Sequence, residues 1–235
     1  MSRKIALVFG GSRGIGSACV KALAEDGHDV AFTYVANPPA ASATGRAYKV
    51  EITEAAEVAK VFADVKADFG AAPSVVVANA GINVPTAPLA QFDAANFRRL
   101  IEVNLVGAFN ILQEAARQVA DNGAIIALTT SLVRVAAPGL GPYSATKAAV
   151  ECLVCSLSKE LAGRGVRVNA VAPGPVDTDL FRAGKDEAAL ARSAAMSPFN
   201  RVGRPQEIAE VVRFLASEKA SWVHGQIVQP NGGLV

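Results

Sequence analysis

The sequence predicts an α/β fold with a seven-stranded, doubly wound parallel sheet flanked by helices on both faces. Two observations predict it. Short apolar runs alternate with helix-length amphipathic segments along all 235 residues. Several of those runs are apolar throughout, as in Ser74–Ala78 and the Gly123–Thr129 segment, which marks strands covered by helices on both sides.

The strands are expected at Ile5–Phe9, Val30–Tyr34, Ala47–Val50, Ser74–Ala78, Gly123–Thr129, Val166–Ala172 and Gln226–Gln229. The helices are expected at Gly14–Glu25, Glu54–Asp68, Ala94–Ala120, Tyr143–Ala162 and Pro205–Ser217. Right-handed crossovers between successive parallel strands place those helices on the two faces. Only the segment from Val35 to Arg46 joins the second strand to the third. Pro38 and Pro39 discourage a helix at its start, so any helix there is short or absent. No repeat, linker or low-complexity stretch divides the chain, and residues 1–235 read as a single domain.

Composition narrows the function. Hydrophobic residues make up 51% and charged residues 19%, with a net charge of +2. No block of lysine and arginine appears, so nucleic acid is not the expected partner. No apolar run approaches the ~18 residues of a membrane span. Arg3 and Lys4 before the first apolar run resemble a signal peptide only faintly, because that run is short and ends in glycines without a cleavage site. The three cysteines, Cys19, Cys152 and Cys155, leave one unpaired in any disulfide scheme, which favours a reducing, cytoplasmic setting. With His28 and His224 as the two histidines, no metal site is expected. Cys152 and Cys155 read as apolar helix positions, since a redox pair requires a helix N-terminus.

The glycine loop after the first strand is the first functional signal. Gly10, Gly14 and Gly16 follow a strand and open a helix, the context that makes such a loop a phosphate seat. Glycine tolerates a positive φ and lets backbone approach a pyrophosphate, and the helix N-terminus offers unpaired N–H groups. The spacing G-x-x-x-G-x-G differs from the usual dinucleotide fingerprint, and a plain turn has the same composition. This context makes the sheet Rossmann-type. An NAD-selective site places an acid at the end of the second strand, where this chain has Tyr34. Arg13 and Ser12 in the loop suit a 2′-phosphate instead, so the cofactor is expected to be NADP(H). Phe9 precedes the loop and is expected to pack in the core.

The second signal is a hydroxyl, a phenol and an ammonium. Tyr143 and Lys147 are four residues apart at a helix start that Pro142 favours, so both lie on one face. An ammonium beside a phenol lowers its pKa and makes it a competent acid or base. Ser131 ends the fifth strand, where ligands sit in open sheets.

With these residues in view, the chain resembles the short-chain dehydrogenase/reductases over nearly its whole length. The resemblance rests on seven motifs in order: GGSRGIG (10–16), ANAG (78–81), VNL (103–105), Ser131, YSATK (143–147), APGPVDT (172–178) and NGG (231–233). Within the family it is most similar to 3-oxoacyl-carrier-protein reductases and related ketoreductases.

The resemblance implies roles. Tyr143 donates the proton, Lys147 tunes Tyr143 and holds the nicotinamide ribose, Ser131 positions the carbonyl, and Asn104 anchors a relay water. Ile15 accompanies Gly10, Gly14 and Gly16 in the phosphate loop, and Tyr34 lies beside the adenosine ribose. Asn79 supports the sheet, Ala80 and Gly81 line the adenine ribose, and Glu51 and Ile52 contact adenine. Pro173 and Gly174 shape the loop over the nicotinamide, and Val176 and Thr178 reach its carboxamide. Phe9, Ala78 and the Pro38–Pro39 connection depart from the family pattern.

The implied reaction is reduction of a small ketone or aldehyde, free or carrier-bound, in a homotetramer or homodimer. An NAD-linked alcohol dehydrogenase and a non-catalytic dinucleotide-binding regulator remain as alternatives. The segment Asp179–Ser197 is the expected substrate loop, with Arg182, Lys185 and Arg192 read as solvated. Arg134 lies near the expected substrate entrance. Trp222 and His224 are read as packing or subunit contacts.

Overall fold

The computed structural model describes residues 4–36 and 44–235. Seven parallel strands form one sheet in the order β3-β2-β1-β4-β5-β6-β7. They are β1 (Ile5–Phe9), β2 (Asp29–Tyr34), β3 (Arg46–Lys49), β4 (Val75–Ala78), β5 (Ala124–Leu128), β6 (Arg167–Val171) and β7 (Ile227–Val228). The principal helices are α1 (Gly14–Glu25), α2 (Ala55–Phe69), α3 (Ala94–Leu100), α4 (Gly107–Gln118), α5 (Leu132–Val135), α6 (Gly141–Leu161), α7 (Asp179–Arg182), α8 (Glu187–Ala195) and α9 (Pro205–Ala216).

Alternation of side chains along each strand splits the core into two layers. Ile5, Leu7 and Phe9 face α2, α4 and α6, while Ala6 and Val8 face α1 and α9. Phe9 is fully buried with its ring centroid 5.9 Å from that of Phe62, which bears out its expected packing. The chain leaves β1 in one direction towards β2 and β3, and in the other towards β4 and the remaining strands. A crevice therefore opens at the carboxyl ends of β1 and β4, where the two directions part.

The expected strands and helices are present, with most ends shifted by a residue or two. The helix expected over Ala94–Ala120 is a larger departure. It is interrupted by a π-helical turn, Ile101–Val106, between α3 and α4. A π-turn widens the helix locally and re-aims a side chain, here the fully buried Asn104. The expected Pro38–Pro39 irregularity lies outside the described residues. Cys152 and Cys155 read as apolar positions, yet both are exposed on α6. His224 is packing: its Nδ1 accepts from the Val168 N–H at 3.2 Å and its Nε2 lies 2.6 Å from the Ser158 carbonyl. Trp222 is 98% exposed among the described residues.

Candidate active site

The glycine loop is held from three sides. Gly10 and Gly14 adopt φ values of +72° and +55°, which glycine alone takes without strain. A Cβ on Gly10 would stand 2.9 Å from the Ala80 Cα, and one on Gly16 would stand 2.1 Å from the Gly10 carbonyl oxygen. Asn79 donates its amide to the Phe9 and Gly10 carbonyls at 3.3 and 2.9 Å, pinning the loop to the end of β4. The Gly10 N–H donates to the Thr33 hydroxyl at 3.0 Å, and the Gly11 N–H to the Thr33 carbonyl at 3.0 Å. Thr33 thus braces the turn from β2, while Phe9 spends its side chain on the core. Sequence reasoning missed Thr33; its signal was a small hydroxyl next to the apolar run 30–32 of β2.

Above this loop lies a cleft of about 500 Å³. Most of the expected cofactor residues meet there: Gly10, Ser12, Arg13, Gly14 and Ile15 from the loop, Tyr34 from β2, and Glu51 and Ile52 after β3. Asn79, Ala80 and Gly81 follow from β4, and Thr178 comes from the loop before α7. Thr178 packs over the glycine loop, since a Cβ on Gly14 would stand 3.3 Å from its methyl. Its hydroxyl accepts from the Phe181 N–H and caps α7.

Gly16, Pro173, Gly174 and Val176 do not line the cleft. Gly16, Pro173 and Val176 are buried, and Gly174 packs against Asn231. The structure adds Arg99, which no motif covers, as a cleft wall, together with Val103, which the VNL motif includes without a role of its own.

Beside the cleft, α6 carries Tyr143 and Lys147. The Lys147 ammonium is buried and donates to the Leu128 carbonyl at 3.0 Å. Asn104, turned inward by the π-turn, accepts from the Ile82 N–H at 2.8 Å and donates to the Ile82 carbonyl at 2.9 Å. One point brings these groups together. A Cβ on Gly81 would stand 3.1 Å from Asn104 Oδ1 and 3.4 Å from Lys147 Nζ.

Burial holds Lys147 down at about 8. Burial also pushes the Tyr143 phenol up to about 12, the opposite of the lowering expected from a neighbouring ammonium. The reason is that desolvation of the phenol is the dominant influence.

Three hydroxyls follow β5, and the structure gives them different partners. Thr129 donates to the buried Glu151 carboxylate at 3.0 Å. Ser131 has no exposed surface; it donates to the Ala172 carbonyl at 2.7 Å and accepts from the Asn231 amide at 3.2 Å. Thr130 accepts from the Leu132 N–H at 3.3 Å, and its own proton has no acceptor among the described residues. Arg134, expected near the substrate entrance, pairs with Glu151 at 2.6 Å. In the expected substrate loop, Arg182 is not simply solvated, because it forks onto Asp177 at 2.5 and 2.9 Å. Lys185 donates to the Phe181 carbonyl and lies over that ring.

A family model described as enoyl-(acyl carrier protein) reductase matches residues 10–235. The chain is 39% identical to a short-chain type dehydrogenase/reductase of Picea abies, over 99% of this chain and 92% of the relative. The chain belongs to the short-chain dehydrogenase/reductase family. It is 36% identical to an NADPH-dependent aldehyde reductase-like protein, chloroplastic, of Arabidopsis thaliana, over 100% of this chain and 95% of that one. It is 37% identical to a 3-oxoacyl-[acyl-carrier-protein] reductase of Staphylococcus aureus, over 98% of each chain. A short chain dehydrogenase from Burkholderia cenocepacia, solved in complex with NADP, superposes with a TM-score of 0.88 at 30% identity, covering 98% of this chain and 97% of that one. This short-chain dehydrogenase/reductase is therefore an oxidoreductase of a family that binds nicotinamide dinucleotides, and its glycine cradle and cleft fit such a group.

Proposed function

We propose that this single-domain protein is an NADPH-dependent carbonyl reductase that converts a ketone or aldehyde to an alcohol. The observation that carries the reading is the convergence of Asn104 and Lys147 at Gly81, with Tyr143 one helical turn from Lys147, at the edge of a dinucleotide-sized cleft. NADPH is favoured over NADH because the Arg13 side chain stands exposed in the loop with no ion pair or hydrogen bond among the described residues, and Tyr34 ends β2 where an acid would exclude a 2′-phosphate. The names of the Arabidopsis relative and of the Burkholderia complex support the same choice.

The chemistry supplied by bound NADPH is hydride donation to the carbonyl carbon. Tyr143 remains protonated at neutral pH, because burial raises it, and delivers its phenolic proton to the carbonyl oxygen. Lys147 holds the ribose hydroxyls and replenishes that proton. Asn104 holds Ile82 and the π-turn in place at the inner end of this route, where a relay water would sit.

The hydroxyl that polarises the carbonyl is Thr130. Ser131, the residue expected for this role, has given its proton to Ala172 and is sealed from the surface. Carbonyl polarisation requires a donor, and among the three hydroxyls only Thr130 retains an uncommitted proton. Pro173, Gly174 and Val176 act from beneath, by fixing the loop that carries Thr178.

The substrate class includes free aldehydes and ketones, with carrier-bound 3-oxoacyl groups as the variant that the Staphylococcus relative's name supports. No helix among the described residues is long and apolar enough to cross a membrane. A cytoplasmic homodimer or homotetramer fits this reading, with the exposed Trp222 available for a subunit contact.

The test follows absorbance of the reduced nicotinamide over a ketone and aldehyde panel, with NADPH and NADH in parallel. Turnover on at least one substrate, with lower KM for NADPH, is expected. Tyr143→Phe should lower kcat by about 10²-fold or more. Full activity in that variant, or a marked preference for NADH, would sink the corresponding half of the proposal. Thr130→Val should lower kcat with Thr130→Ser restoring it, whereas a Thr130→Val enzyme with unchanged kcat would return the role to Ser131.

A further inference from the structure

Arg99 is the residue in the cleft wall that no motif explains. It sits in the last turn of α3, exposed, just before the π-turn that carries Val103. Both line the cleft. Most other arginines are engaged: Arg46, Arg134, Arg164, Arg182 and Arg201 each hold a carboxylate. The Arg99 side chain has no hydrogen bond or ion pair among the described residues, although Glu51 lines the same cleft.

The two ends of the cleft differ in chemistry. The loop end offers backbone N–H groups, Ser12 and Arg13, which suit phosphates. The far end offers Val50, Ile52 and Val103, an apolar slot that suits the faces of a flat base. Ile52 is itself fixed, because Gly107 of α4 leaves no room beyond hydrogen for it to move into: a Cβ there would stand 2.7 Å from its side chain. One wall of the slot is therefore rigid, and Arg99 stands at its open rim. A planar, weakly hydrated guanidinium is well matched to an aromatic face.

On the dinucleotide reading given above, we infer that Arg99 closes the adenine end of the cleft by stacking its guanidinium on the base. It is then an affinity determinant shared by NADPH and NADH, distinct from Arg13, which reads the 2′-phosphate. Because Arg99 is exposed and unpaired, its replacement leaves the fold intact.

The test is equilibrium binding to the purified full chain, by titration calorimetry or quenching of protein fluorescence, without turnover. Arg99→Met should weaken NADPH and NADH by the same factor, about fivefold to tenfold, the scale of one cation–π contact. Arg99→Lys should recover little, since it restores charge without the plane. Arg13→Met should weaken NADPH more than NADH. The assignment is overturned if Arg99→Met changes both affinities less than twofold, if it weakens NADPH alone, or if Arg99→Lys binds like the wild type. A wild-type chain that binds neither dinucleotide would overturn the dinucleotide reading itself, an outcome distinguishable from failure at Arg99 alone.

Discussion

The Asn231 side-chain amide donates to the Ser131 hydroxyl at 3.2 Å, joining residues one hundred positions apart. The other side of the same amide accepts from the Gly233 and Leu234 N–H groups at 3.0 and 3.1 Å. Asn231 thereby ties the C-terminal segment to the ends of β5 and β6, because Ser131 in turn donates to Ala172. Replacing it by leucine removes a donor and an acceptor together and strands the two backbone N–H groups. Asn231→Leu should cost about 1–3 kcal/mol of stability, read as a lower Tm. An unchanged melting curve would show that the segment is held by other contacts.

The Thr33 hydroxyl is the acceptor for the Gly10 N–H, at 3.0 Å and with Thr33 only 1% exposed. Thr33→Val keeps the shape and volume of the side chain but leaves that N–H without its partner. The expected cost is about 1–3 kcal/mol, with a weaker dinucleotide Kd because the loop loses its brace. Thr33→Ser should lose much less. A valine variant that melts and binds like the wild type would mean that Asn79 alone secures the loop.

The contrast between Phe9 and Thr33 explains what the sequence could and could not disclose. Sheet, helices and glycine loop were legible because they depend on local periodicity and on residues with special backbone freedom. The unusual Phe9 was visible too, since a core strand tolerates it next to Phe62. Its compensation by Thr33 was not, because that bond joins β1 to β2 across 23 residues. The same holds at the catalytic end. A run of three hydroxyls, Thr129 to Ser131, reads alike in sequence, and only the partners supplied by Glu151, Ala172 and Asn231 tell them apart. The π-turn at Asn104 was hidden for a different reason: its periodicity differs from an α-helix by one residue, within a segment that is helical on both sides.

Glu151 is the hub that joins the hydroxyl segment to the helix of Tyr143 and Lys147. Its carboxylate accepts from Arg134 Nη1 at 2.7 and 2.6 Å and from Thr129 at 3.0 Å. Removing one partner leaves the other with an uncompensated charge in a largely buried place. Glu151→Ala and Arg134→Ala should each lower Tm, and the double variant should be less destabilised than the sum. A coupling of about 0.5–3 kcal/mol in a double-mutant cycle is expected, and strict additivity would refute the hub.

Burial of Lys147, the ammonium that the proposed function assigns to the site, makes the fold less stable. Its ammonium is 6% exposed and donates to one carbonyl, and burial holds its pKa at about 8, below the 10.5 ordinary for lysine. The sign follows from proton linkage. Below pH ~8 both folded and unfolded states carry the proton, and the folded state bears the full desolvation cost. Between pH ~8 and ~10.5 the unfolded chain keeps a proton that the folded chain has released, so this group's contribution to stability rises with pH. Above that window the two states match and the cost is gone. Lys147→Met removes the charge, so the protein without cofactor should melt at a higher temperature than the wild type at pH 7. The gap should narrow as the pH rises through 8 towards 10, while turnover is lost at every pH. Thermal melts of both proteins across pH 6 to 10 decide the matter. If the wild type were the more stable at pH 7 by a margin independent of pH, the bond to Leu128 would outweigh desolvation and the account of Lys147 would be wrong.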